Sequence, residues 1–144
     1  MSVLWTSDEL ERATLGRAAA SFSVGGISIN SRTVREGDLY IAIKGERHDG
    51  HDYVADALSR GASGALVSHR PAGVAETAPL LMVANAQRGL EDVGCAARAR
   101  SGAEIVSVTG SVGKTTAKEM LRLALGALGT VHASAGSLNN HWGV

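Results

Sequence analysis

The stretch SVTGSVGKTT, residues 107–116, restricts the fold more than any other part of the chain. An apolar run at 105–108, within a strand predicted over 104–108, enters a loop of glycines and small hydroxyls, followed by Lys114 and two threonines. Beyond it a helix is predicted over 114–128. Ala117, Leu121, Ala124, Leu125 and Leu128 form one stripe there, with Lys118, Glu119 and Arg122 mostly off it. A strand that passes through a glycine loop into an amphipathic helix belongs to α/β architecture and is the context of a phosphate-binding loop. Glycines let successive N–H groups turn inward toward phosphate oxygens, and the helix N-terminus adds its dipole. On this reading Gly110, Ser111, Val112, Gly113, Lys114, Thr115 and Thr116 hold a nucleoside triphosphate. Lys114 neutralises β- and γ-phosphate charge and is the candidate catalytic residue, and the Thr115 hydroxyl is the candidate magnesium ligand. Val108 stands where the strict consensus has its first glycine, so the match is the shorter T-G-x-x-G-K-T-T. The competing reading of the bare string is a glycine-rich turn ending in an exposed lysine.

Upstream, a short helix is predicted over 7–14, with Ser7 as N-cap and Asp8 and Glu9 in the first turn. Residues 39–43 form an unbroken apolar run between Gly37 and Gly45, the pattern of a fully buried strand. Val54, Ala57 and Leu58 share a helix face that Gly61 ends. GALV at 64–67 and LLMV at 80–83 read as further strands, and the segment between them, with both prolines, as a loop. A helix over 86–100 carries Leu90, Val93 and Ala97 on one face, TVHAS near 130–133 reads as a strand, and no internal repeat is visible. The expected division is residues 1–84 and 85–144.

Fourteen basic and fourteen acidic side chains cancel, which removes the basic footprint that nucleic-acid binding needs. The lone Cys95 permits no intrachain disulfide and no cysteine-based zinc cluster, and reads as a buried inert thiol. No apolar run has the length of a membrane span. The N-terminus lacks the charged-then-apolar order of a signal peptide, and a cytoplasmic location is expected.

The stretches VTGSVGKTTAKEML and SAGSLNNHWGV resemble the ATP-binding region of the Mur ligases, which make amide bonds in peptidoglycan precursors through an acyl phosphate. NSRTVREGDLYIAIKGERHDGHDYVADALSRGASGALV resembles the UDP-sugar-binding domain of the same family. Together they cover most of the chain in family order and spacing. The resemblance implies a small N-terminal α/β domain for the UDP-linked substrate, followed by the first part of a P-loop ATPase α/β domain. It implies ATP and Mg2+ as cofactors, and Asn139 and Asn140 near the nucleotide. A polar turn is the alternative for that pair.

In the N-terminal domain it implies Ser31 and Arg32 at the uridine-diphosphate end. A hydroxyl and a fork-shaped cation suit uracil or pyrophosphate. Lys44, Gly45, Asp49, Gly50 and His51 belong to a second polar loop, directly after the buried strand, where open α/β sheets bind ligands. For His48 and His51 the alternatives are exposed loop histidines beside a helix-capping Asp49 or Asp52; no third metal ligand is evident beside them.

Lys118-Glu119-Met120 and SLNN look most like the family member that joins D-alanyl-D-alanine to UDP-N-acetylmuramoyl-tripeptide. A ligase adding the third peptide residue, or a non-catalytic UDP-sugar- or partner-binding module, are the alternatives. Asn30 and the pair His141-Trp142 depart from common family residues. A monomeric full-length enzyme is expected, of which these 144 residues alone are inactive.

Overall fold

The computed structural model describes residues 3–134, so Asn139, Asn140, His141 and Trp142 lie outside the described residues. The chain forms two compact units, Met1–Arg100 and Ser101–Val144.

In the first unit the strands are β1 (Trp5–Thr6), β2 (Arg17–Ala18), β3 (Ser23–Val24), β4 (Gly26–Ser28), β5 (Asp38–Ile41), β6 (Gly64–Val67) and β7 (Leu80–Met82). Helices α1 (Ser7–Thr14), α2 (Val54–Ser59) and α3 (Ala86–Arg100) accompany them. Five strands build one sheet in the order β2-β7-β6-β5-β4. The pairs β4–β5, β5–β6 and β6–β7 are parallel, with Leu39 opposite Gly64 and Leu66 opposite Leu81; β2 joins the edge antiparallel. β1 and β3 form a separate antiparallel pair.

The apolar runs are continuous because both faces of this sheet are covered. Alternate residues point to opposite sides. Leu39, Ile41, Leu66 and Leu81 pack with Leu10 of α1 and Val93 of α3. Tyr40, Ala42, Ala65, Val67 and Leu80 pack with Val54 and Ala57 of α2. Each run thus supplies two cores at once.

Helix α1 begins one residue earlier than Ser7 capping implies. Thr6 is the N-cap, and a capping box pairs its hydroxyl with the Glu9 N–H and the Glu9 carboxylate with the Thr6 N–H at 2.8 Å. Bonds donated to it by the Thr6 N–H and the Thr6 hydroxyl hold the Glu9 carboxyl below its ordinary range. Cys95 is exposed, correcting the buried thiol expected from sequence. It lies two residues from the buried Val93, which at 100° per residue puts it on the far side of α3. Helix α3 packs on α1, β5 and β6, so the compact unit runs past residue 84 to Arg100. Its last residue is fastened at home: the Arg100 guanidinium lies 3.5 Å over the Trp5 ring and donates to the Leu4 carbonyl at 2.7 Å.

The second unit contains α4 (Lys114–Gly126), close to the predicted span. The strands expected at 104–108 and 130–133 do not form among its described residues. Ile105 and Val106 stand 63% and 60% exposed. A strand is made by the ladder it joins, and no described segment of this unit offers one. Of the predicted α4 stripe, Ala117, Leu121 and Leu125 are half-buried, while Ala124 and Leu128 are exposed.

Candidate functional site

The carboxyl ends of β4, β5, β6 and β7 all open toward one edge of the sheet, as parallel pairing requires. The segments that follow them carry the polar groups.

After β4, the Asn30 side chain organises a tight turn. Its Oδ1 accepts the Arg32 N–H at 3.0 Å and its carbonyl accepts the Thr33 N–H at 3.1 Å. An amide oxygen here does what a carboxylate oxygen would, so the departure at Asn30 leaves the turn intact. Ser31 is buried and Arg32 exposed. Both line a cavity of about 350 Å³ together with Asn30, Tyr40, His48 and Tyr53. Tyr40 is the least visible of these in the sequence, because it sits within an apolar strand. Its hydroxyl donates to the Gly50 carbonyl at 3.0 Å, and burial pushes its pKa up to about 12.

After β5, residues 44–51 close on themselves. Lys44 and Asp49 form an antiparallel bridge, and the Gly45 N–H meets the His48 carbonyl at 2.9 Å. Gly50 presses on the strand end: a Cβ there would lie 2.7 Å from both the N and O of Ile43. Asp49 caps a single 3-10 turn, Gly50–Tyr53, by accepting the His51 N–H at 3.0 Å. The capping alternative for Asp49 holds; an exposed His51 does not.

His51 is only 3% exposed. Its Nδ1 lies 2.6 Å from Asp49 Oδ1, and its Nε2 lies 2.9 Å from the Ser68 backbone nitrogen, just past β6. A backbone N–H can only donate, so Nε2 accepts and Nδ1 carries the ring proton. The His51 backbone and ring bonds hold the Asp49 carboxyl below its usual range, with Lys44 adding attraction. His69 stacks on the ring at 4.0 Å between centroids.

A second cavity, of about 150 Å³, is lined by Lys44, His51, Ser68, Ala84, Asn85, Ala86 and Gln87. Asn85 caps α3, its Oδ1 accepting the Arg88 N–H at 2.9 Å. The predicted substrate residues therefore divide. Ser31 and Arg32 face the first cavity, Lys44 and His51 the second, while Gly45, Asp49 and Gly50 shape the loop between. Tyr40, Tyr53, Ser68 and Asn85 join only through the fold, since neighbouring parallel strands bring distant segments to one edge.

In the second unit, Gly110 and Gly113 have φ of 152° and 78°, a region that favours glycine. Gly113 is the N-cap of α4, and its carbonyl accepts the Ala117 N–H at 2.9 Å. The N–H groups of Lys114, Thr115 and Thr116 thus stand at the open start of a 13-residue helix. Lys114 folds back over the loop, its Nζ 2.5 Å from the Gly110 carbonyl. Ser111, Val112 and Thr115 are exposed. Glu119 is occupied by Arg122 at 2.8 Å and Lys118 at 3.3 Å, which keep its carboxyl below the ordinary range. These groups fit a triphosphate, and Thr115 fits as one hydroxyl ligand to its magnesium.

Known families match this chain at residues 23–124, described as "Mur ligase family, catalytic domain", and at 108–144, described as "Mur ligase middle domain". The chain belongs to the Mur ligase family. A UDP-N-acetylmuramoyl-tripeptide–D-alanyl-D-alanine ligase of Rickettsia prowazekii is 35% identical over 142 residues, covering 99% of this chain and 31% of the relative. A UDP-N-acetylmuramoyl-L-alanyl-D-glutamate–2,6-diaminopimelate ligase of Rhizobium meliloti is 38% identical over 110 residues, 76% of this chain and 22% of the relative. Among solved structures, MurF from Acinetobacter baumannii superposes with a TM-score of 0.82 at 35% identity, over 96% of this chain and 31% of that one. The MurF ligase from Thermotoga maritima, in complex with ADP, gives 0.67 at 32% identity, over 81% and 27%. The chain thus spans about a third or less of these Mur ligases.

Proposed function

We propose that the protein carrying this chain is an ATP-dependent ligase that joins D-alanyl-D-alanine to UDP-N-acetylmuramoyl-tripeptide through an acyl phosphate. The observation that carries this is the 35% identity along 99% of the chain to a relative of that name. The division of labour follows the two units. Ser31, Arg32 and the 44–51 loop take the UDP-linked substrate, and residues 110–116 take ATP. A carboxylate is a poor electrophile and repels a triphosphate, so positive charge must gather where the phosphoryl group moves. Lys114 supplies one such charge, and the N–H groups around Gly113 supply fixed dipoles. Thr115 would offer its hydroxyl to a magnesium ion, which when bound would neutralise phosphate charge. That a MurF relative from Thermotoga maritima was solved in complex with ADP supports an adenine nucleotide as ligand.

The ligase that adds diaminopimelate is the second reading, favoured by the Rhizobium relative. Amine choice separates the two. In a ligase of full family length carrying these residues, phosphate release from ATP is expected with D-alanyl-D-alanine and the UDP-tripeptide. Lys114→Ala should lower it by at least ~100-fold while the fold is retained. Release with diaminopimelate and the UDP-dipeptide instead would select the second reading. Near-normal turnover of Lys114→Ala would remove the phosphate-loop assignment, and no release from any substrate set would favour a binding module.

A further inference from the structure

We propose that His51 is a positioning residue that sets the register of the 44–51 loop against β6, and through that loop shapes both cavities at once. This rests on the substrate role proposed for the first unit, but its structural core is independent of it.

The geometry is specific. One imidazole ties its own loop, through Nδ1 to Asp49 at 2.6 Å, to the Ser68 N–H 17 residues further on, through Nε2 at 2.9 Å. It does so at 3% exposure, where a lost partner leaves a buried donor unsatisfied. The tethered loop faces two ways, with Lys44 lining the smaller cavity and His48 the larger. The Gly50 carbonyl, adjacent to His51, is where Tyr40 of the larger cavity anchors its hydroxyl. A shift of the loop at His51 therefore moves a wall of each cavity.

Asp49, His51 and the Ser68 hydroxyl, 3.1 Å from Nε2, also have the membership of a nucleophilic triad. The ring has a single lone pair on Nε2, and the backbone N–H of Ser68 lies closer to it than the hydroxyl does. The ring's task is to hold chain, and the hydroxyl is incidental.

Long-range proton–nitrogen spectra of the histidine rings test the tether without reference to any reaction. His51 is expected to be neutral with its proton on Nδ1, and Ser68→Ala, which keeps the N–H, should leave that tautomer unchanged. A proton on Nε2, or a changed tautomer in Ser68→Ala, overturns the proposal. Kinetics in the full-length ligase then test the consequence. His51→Asn keeps a donor near Asp49 but removes the acceptor for Ser68, whereas His51→Gln keeps an acceptor at the far position. His51→Asn should raise KM for the UDP-linked substrate by about tenfold, with kcat and the KM for ATP little changed, and His51→Gln should recover part of the loss. Unchanged KM in both variants, or a loss confined to kcat, overturns it. Should His51→Asn not fold, His51→Gln alone must still raise that KM, by less than tenfold. An inactive wild-type ligase would refute the proposed function and leave the spectroscopic result standing.

Discussion

At the scale of single residues, the first cavity shows how little chemistry a turn needs to be prepared. Asn30 uses both its oxygens to fix the backbone, so Ser31 and Arg32 arrive at the cavity with their side chains uncommitted to the turn. Among the described residues the exposed guanidinium is the one fixed positive charge lining it, set among tyrosines and His48. That combination suits a base and a pyrophosphate. Calorimetric titration with a UDP-linked muramoyl peptide should show Arg32→Ala binding about tenfold more weakly than the parent, the loss of one charge-assisted pair. Equal affinity would take Arg32 out of the site. Ser31 and Arg32 were named through the resemblance of their segment to the Mur ligases, and the fold adds that both line this cavity. Tyr40 was not, since nothing in the string LYIAI says which alternate residues have a polar end to satisfy.

At the scale of elements, β5 and the loop it feeds act as one piece. The strand is buried on both faces, and the loop turns back so closely that Gly50 packs on Ala42 and Ile43, the residues just past the strand. The Gly50 N–H donates to the Ile43 carbonyl at 2.9 Å, and no side chain fits between. Gly50→Ala should therefore cost ~1–3 kcal/mol of stability, through a backbone shift that a methyl group forces. A denaturant midpoint equal to that of the parent would show that the loop can move aside at no cost. A sequence reader sees Gly50 as one of several loop glycines and assigns it to ligand binding with its neighbours. The structure gives it a nearer partner, the backbone of Ala42 and Ile43.

For the whole molecule, the division between units matters most for how the chain behaves in solution. Residues 101–113 carry no helix or strand, and nearly all are exposed. A protease of broad specificity should cut the native 144-residue chain there first, leaving a resistant product that ends near Arg100. A resistant product lacking α3 would place the boundary near residue 84 after all. The sequence by itself determined the α/β class, three of the four strands that pair in parallel, the four helices and the Gly-Lys-Thr loop. Those rest on periodicity and on local backbone chemistry, which act over a few residues. Only the tertiary structure decided that α3 belongs to the first unit, that Cys95 faces outward, and that His51 is a buried tether. It also decided that 104–108 and 130–133 pair with nothing among the described residues. Each of these depends on which surface meets which, and a strand or a buried imidazole acquires its partners from segments that the local pattern does not name.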